Sequence, residues 1–268
     1  MSEERAIERI NEPNTVPSLV DDLRDLGIKD GEMVLVHASL NALGWTCGGP
    51  QAVCDALREV VTDSGTLVMP THTGQYTEPS SWSDPPVPDE WIGTIREGMP
   101  VYWPAVTPTR GVGAVPECFR NYPDVIRSRH PEVSFAAWGS EAEAIVADHD
   151  FDYGLGEGSP LARIYERGGE ILLLGVGHDA NTSLHLAEHR AEIPKETVTS
   201  SAPVVRSGER VRLEYEDIET STEDFPKIGT AFEEQVGVVE GRVGAATAKL
   251  IDQRELVDFA TEWFEANR

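Results

Sequence analysis

Between Met33 and Met69 the chain reads strand, helix, strand, an order that restricts the folds open to it. Met33 to Val36 is a short apolar run, followed by a Gly-rich loop over Ser39 to Gly49. Pro50 then opens a helical pattern that lasts through Val61, and Asp63-Ser64-Gly65 turns into a second apolar run, Thr66 to Met69. Proline suits a first helical position, because the N–H it lacks would have no partner there. Two short strands joined through a helix lie parallel in one sheet with a right-handed crossover. A parallel sheet needs both faces covered.

The rest of the chain is read for organisation. Residues 15–27 carry apolar positions at helical spacing and end at Gly27, a C-cap signal. Residues 71–110 are rich in Pro, Thr, Ser and Trp and show no sustained period, as expected of a lid or binding loop. Helical patterns return over Val115 to Asn121 and Ser140 to Ala147. Asp152 to Ser159 is a Gly-rich turn, and Pro160 to Arg167 is a short helix closed by Gly168-Gly169. A strand over 170–176 leads to a helix starting at Thr182 or Ser183. Val204 to Arg206 and Val211 to Tyr215 flank Ser207-Gly208-Glu209, a hairpin signal, and 243–266 alternates apolar and charged residues at helical spacing. The composite is an α/β layered fold with a mixed sheet, parallel early and antiparallel late, in one domain over 1–268.

Charge narrows the function. There are 47 acids against 22 bases, a formal net of -25, which excludes nucleic acid as a partner because phosphate contacts need a basic face. Such a field attracts a polycation. Acids also stand at Asp252, Glu255 and Asp258, where no pocket needs them, and only Lys29, Lys195, Lys227 and Lys249 are lysine. That pattern favours adaptation to high salt, a halophilic protein. Cys47, Cys54 and Cys118 form no C-x-x-C pair, as for reduced thiols in a cytoplasm. The start, Met-Ser-Glu-Glu-Arg, has no secretory character, and the apolar runs fall short of the ~20 residues that span a bilayer. The expected location is cytoplasmic.

Residues 175–189, Gly-Val-Gly-His-Asp-Ala-Asn-Thr-Ser-Leu-His-Leu-Ala-Glu-His, mark the chemical centre. They join an apolar strand to a helix start, a junction that aims backbone N–H groups and side chains at one spot. Histidine is the side chain suited to proton transfer near neutrality. His185, Glu188 and His189 also spell H-x-x-E-H, the spacing of an inverted zinc-peptidase motif, so a zinc hydrolase is the rival reading. No metal is expected, since no peptidase context surrounds the motif. A third reading is a non-catalytic protein that holds a cation or nucleotide in the same cleft.

Several segments together resemble the aminoglycoside 3-N-acetyltransferase family. They are Val34-Leu-Val-His-Ala-Ser-Leu40, Gly48-Gly49, Gly65-Thr-Leu-Val-Met-Pro70, Arg127-Ser-Arg-His-Pro131 with Ser134, Asp152-Tyr-Gly-Leu-Gly-Glu-Gly-Ser-Pro160, Leu172 to Glu188 and Gly241 to Ala260. They follow the family's order from about residue 15 to 265. The resemblance implies a three-layer α/β/α fold with a mixed, mostly central sheet, unlike the compact GNAT acetyltransferases. It implies direct acetyl transfer from acetyl-CoA to an amine, the 3-amino group of a 2-deoxystreptamine aminoglycoside, without an acyl-enzyme. The family's essential histidine matches His185, and its acidic partner falls on Asp217, with Glu216 and Glu219 in reach of the same slot. Glu188, a further catalytic candidate, and His189 support the helix and the surroundings of the site.

Against that background the loop from His37 to Gly49 reads as a cradle for the donor. His37, Ser39, Leu40, Gly48 and Gly49 would present side chains and backbone N–H groups to phosphate or pantetheine amides. Arg127, Ser128 and His130 would add a cation and a hydroxyl for a CoA phosphate, and Thr109 a further wall. The acceptor, a polycationic small molecule, would meet Tyr76, Glu78, Asp84 and Glu90 in the irregular segment, with Asp152 and Glu157. The bland alternative is that these acids simply follow the overall composition. The sequence leaves the oligomeric state open.

Overall fold

The computed structural model describes residues 3–83 and 85–268. The first half contains α1 (Glu3–Glu8), α2 (Val16–Leu26), β1 (Met33–Ala38), α3 (Pro50–Val61), β2 (Thr66–Pro70), α4 (Asp89–Gly98), α5 (Ala114–Phe119), β3 (Ile126–Arg127) and β4 (Phe135–Gly139). The second half contains α6 (Ala142–Val146), α7 (Pro160–Arg167), β5 (Glu170–Leu174), α8 (Ser183–Arg190), β6 (Thr197–Arg206), β7 (Glu209–Ile218), α9 (Phe225–Gln235), β8 (Val239–Val243), β9 (Ala246–Asp252) and α10 (Gln253–Asn267). A seven-stranded sheet runs β3-β4-β2-β1-β5-β9-β8, and β6-β7 form a separate hairpin.

The sheet is mixed in the expected sense. β2, β1 and β5 are mutually parallel in the centre, while β4 and β9 flank them antiparallel. Antiparallel pairing therefore occurs at both edges, and β4 brings it into the first half of the chain. Strand alternation builds two cores. Val34, Val36, Leu67, Met69, Leu172 and Leu174 pack on one face with α2, α3 and α5. Leu35, Val68, Phe135, Ile171, Leu173 and Ile251 pack on the other with α6 to α10. Helix, sheet and helix are thus the three layers that the resemblance implied. Each hydrophobic stripe finds its sheet face because the strand period is two.

Local signals explain the well-read elements. Thr15 caps α2 with its hydroxyl on the Ser18 N–H, Ser18 returns the bond to the Thr15 N–H, and Gly27 closes the helix at φ 113°. α7 starts at Pro160 and stops at Gly168 as its sequence required. Two readings need correction. Residues 246–252 form strand β9 rather than helix: Ala246, Ala248 and Leu250 face the core while Thr247 is exposed, and α10 begins only at Gln253. The irregular stretch 71–110 contains α4, a ten-residue helix with no fully buried residue, whose short apolar set Trp91, Ile92 and Ile95 stands out little among the Pro, Ser and Thr around it. The hairpin is also longer than its turn signal, pairing Thr197 with Ile218 at its base.

Gly139 closes β4 at φ +108°, opposite Thr66, and a Cβ there would overlap the carbonyl oxygen of Gly65. Gly139→Ala combines that clash with a left-handed backbone, so thermal unfolding is expected to show a loss of about 2–4 kcal/mol, or roughly 5–15 °C in Tm. Gly93→Ala, with open space around it, is the control expected to melt no earlier.

Candidate active site

The parallel strands β2, β1 and β5 deliver their C-terminal ends to one rim, where α/β sheets bind ligands at the point of strand-order reversal. A cavity of about 420 Å³ opens there, lined by His37 near the end of β1, Ser39 and Leu40 just after it, His72 after β2, and Val176 and Thr182 between β5 and α8. Gly111 to Ala114, at the start of α5, form the opposite wall. His37 is buried, and burial pushes its pKa down to about 3, so the ring is neutral; its Nε2 lies 3.4 Å from Thr182 Oγ1. The β5–α8 loop is fixed from behind. His178 Nε2 sits 2.9 Å from Glu233 Oε1 on α9, and Lys249 pairs with the same oxygen.

His185 occupies the first turn of α8, its side chain only 12% exposed. Its ring stands edge-on to Phe225, centroids 4.8 Å apart. Nδ1 lies 3.2 Å from Glu188 Oε2, one helical turn on. Glu188 is 2% exposed, yet its other oxygen pairs with Arg268 and accepts the Ser221 N–H at 3.3 Å. Burial pushes this carboxyl up, but the bonds from His185 and Arg268 outweigh it, and the net shift is downward. An ionised Glu188 fixes the Nδ1–H tautomer of His185 and leaves Nε2 with its lone pair.

The acid expected to orient His185 was Asp217. The structure places Glu188 on the ring instead, because i, i+3 residues share a helix face. Asp217, on β7, stands 3.5 Å from Nε2 of His189, the next turn along α8. Burial raises the Asp217 pKa, while the backbone N–H of Ile218, donated to its carboxylate, acts in the opposite direction. Glu216 instead lies 3.5 Å from the Tyr153 hydroxyl, and Glu219 is exposed. Among the described residues no group of three or more His, Cys, Asp or Glu side chains is set to hold a metal.

The other sequence-derived residues divide. His37, Ser39 and Leu40 line the cavity. Thr109 anchors its far wall, its N–H and hydroxyl both donating to Glu117 Oε2 at 2.8 and 2.7 Å. Gly48 and Gly49 stand apart, at the start of α3. Arg127 donates to the Thr71 and Thr107 carbonyl oxygens at 2.6 Å each and to the Ser134 hydroxyl at 3.1 Å, stitching remote loops together. Ser128 accepts the Phe135 N–H and bonds His149, and His130 holds the turn at Glu132 and Val133. Arg127 and Ser128 border a different cavity, of about 930 Å³.

The expected acceptor residues are largely engaged with the protein itself. Tyr76 is buried, its hydroxyl on the Val101 carbonyl. Glu78 pairs with Arg96 and Arg212, and Glu157 with Arg190. Asp152 accepts the Glu216 N–H, Glu90 is exposed on α4, and Asp84 lies outside the described residues. Sequence reasoning missed Glu132, a half-buried carboxyl bonded to Ser200 whose pKa burial raises, and also Phe225, Ser221 and Arg268 around the His185–Glu188 pair. It likewise missed a second basin, lined by Arg9, Arg242 and Lys249, that shares Val176 with the cavity of His37 and Thr182.

Comparison with known proteins gives these features a context. The sequence profile described as aminoglycoside 3-N-acetyltransferase matches residues 35–265. The prophage-derived aminoglycoside N(3')-acetyltransferase-like protein YokD of Bacillus subtilis is 44% identical over 98% of this chain and 97% of its own. Its crystal structure superposes with a TM-score of 0.96 at 43% identity, covering 98% of each chain. AAC-IIIb, solved as a binary complex with CoASH, is 34% identical with a TM-score of 0.86, covering 95% of this chain and 97% of that one. AAC-VIa bound to sisomicin is 34% identical with a TM-score of 0.87, over 96% and 99%.

Proposed function

Because the chain belongs to the aminoglycoside 3-N-acetyltransferase family, we propose that it moves an acetyl group from acetyl-CoA to the 3-amino group of an aminoglycoside. His185 is the general base, and the transfer is direct. The observation that carries this reading is the His185–Glu188 pair beside the donor cavity. With Nδ1–H held by a buried carboxylate, Nε2 takes the proton from the acceptor ammonium. The freed nitrogen attacks the thioester carbonyl, the C–N bond forms, and the C–S bond breaks. The departing thiolate recovers that proton from the imidazolium, and the second proton of the attacking nitrogen leaves to solvent through the regenerated imidazole, giving neutral amide, thiol and one released proton. Proton transfer of this kind is worth about 10²–10⁴-fold, and holding donor and acceptor together supplies more.

The donor fits the residues present. The acetyl end and pantetheine would occupy the cavity of His37, Ser39 and Thr182, and the CoA phosphates would meet Arg9 and Arg242 in the adjoining basin, where Lys249 is already paired with Glu233 and Glu240. CoASH in AAC-IIIb and sisomicin in AAC-VIa support the choice of donor and acceptor class. On the acceptor side, Asp217 and Glu132 remain to receive ammonium groups once Glu78 and Glu157 have closed on their arginines.

The test is thiol release from acetyl-CoA with sisomicin, gentamicin and spermidine, run from low to molar salt, with the acetylated nitrogen located by NMR. Thiol release with the two aminoglycosides and an N3-acetyl product is expected. Binding of CoASH without release would favour the non-catalytic reading. One tight zinc equivalent with peptide hydrolysis would favour the hydrolase.

A further inference from the structure

His72 is a histidine that neither the sequence signals nor the His185–Glu188 pair accounts for. It follows β2 immediately after Thr71, and it lines the donor cavity together with Thr182. Its position is tightly built. The Arg110 N–H bonds the His72 carbonyl oxygen at 2.9 Å, and the neighbouring Thr71 and Thr73 N–H groups bond Ser134 and Glu132, each at 2.8 Å. The ring stands edge-on to Phe135, 5.4 Å between centroids at 89°. Among the described residues neither ring nitrogen has a hydrogen-bond partner: Nδ1 is fully buried without one, and Nε2 is the nitrogen left to reach the cavity. Buried N–H groups are nearly always paired, and an under-satisfied acceptor is better tolerated than an orphaned donor, so the partnerless Nδ1 keeps the lone pair and the ring's one proton sits on Nε2, the nitrogen open to the cavity.

Its charge state narrows the ligand. Burial, and next the neighbouring His185 and His37, push the His72 pKa down to about 3. The ring is therefore neutral at any pH at which the enzyme works, and it remains neutral when His185 takes a proton. A neutral imidazole carries one N–H, and as an electrophile it polarises a carbonyl without competing for the base's proton.

We propose that His72 Nε2–H donates a hydrogen bond to the thioester carbonyl oxygen of the donor and holds the oxyanion formed when the acceptor nitrogen adds. As the C–N bond forms, the carbonyl π pair moves onto the oxygen facing His72. When the C–S bond breaks that pair returns, and the thiolate takes its proton from His185. His72 keeps its own proton throughout. Two histidines thus divide the work: one moves a proton, and the other stays fixed and faces the charge that develops. This assignment rests on the acetyl-transfer reading.

The test uses the full chain as His72→Phe, which keeps a ring against Phe135 but has no N–H, and His72→Gln, which keeps a donor. Thermal melts and CoASH binding by calorimetry verify each fold. His72→Phe is expected to lower kcat by about 10²–10³-fold, the usual loss for one oxyanion donor, with the CoASH Kd within a few-fold of wild type. His72→Gln is expected to recover much of that loss. Independently of turnover, isotope-edited infrared spectra of the bound ketone analogue of acetyl-CoA should show the carbonyl stretch lowered in wild type, restored in His72→Phe and intermediate in His72→Gln. A carbonyl and a kcat both indifferent to residue 72, in protein that binds the analogue and turns over, overturn the proposal alone. Wild-type protein that neither binds the analogue nor releases thiol overturns it together with the acetyl-transfer reading.

Discussion

His185→Ala is expected to lower kcat by about 10²–10⁴-fold while the CoASH Kd stays within a few-fold of wild type. The separation follows from where the ring sits. The donor cavity is lined by His37, Ser39, Val176 and Thr182, and His185 is not among its walls. Removing the imidazole takes away the proton acceptor and leaves the pantetheine seat intact. His185→Gln is expected to lose as much turnover, because an amide can still bond Glu188 but accepts no proton at Nε2. The fold should survive both changes. The ring touches Phe225 at the edge of the core, and Glu188 keeps Arg268 and the Ser221 N–H after the histidine is gone. Steady-state thiol release and calorimetry with CoASH read the two quantities separately. Turnover preserved in His185→Ala, or lost only in proportion to CoASH binding, removes His185 from the role of base.

How far the sequence alone could lead is clearest at this site. His185 was legible because a strand-to-helix junction announces itself locally, in apolar Leu172 to Leu174, then Gly175, then Thr182 and Ser183. Its partner was misassigned for a specific reason. The resemblance pointed across the chain to Asp217, while the nearer candidate, Glu188, needed only the i, i+3 rule. Arg127 illustrates the opposite limit. Its guanidinium is held by Thr71 and Thr107, more than fifteen residues away, and no local pattern records such a contact. Helices with a signal at each end, α2 between Thr15 and Gly27 and α7 between Pro160 and Gly168, were placed almost to the residue. α4 and β9 are hard to read because one has no fully buried residue and the other alternates over only seven residues before running straight into α10.

Acidification from pH 7 to pH 5 is expected to lower Tm by at least about 10 °C at constant molar salt, and the cause is the set of histidines the fold keeps neutral. Burial depresses His37 to about 3 and His130 and His189 to about 4, and it holds His149 well below the usual range. His72 is likewise held at about 3. In the unfolded chain each returns to about 6.5. Above that value both states are neutral and the histidines favour neither. As pH falls through 6.5 toward 4 the unfolded chain takes up protons that the native state refuses, so stability drops across that window. Each ring removes about 1–2 kcal/mol between pH 7 and 5, and five together approach the whole stability of a typical domain. Glu170 opposes them: burial and the neighbouring Asp252 raise it to about 7, so its native form gains a proton in the same range. It returns about as much as one imidazole removes. His149→Asn, which deletes one ring hydrogen-bonded to Ser128 and Gly154, should flatten the pH dependence by about one proton. Equal melting temperatures at pH 7 and pH 5 would mean that these rings accept protons inside the fold. The neutral state assigned to His72 would then fail with them.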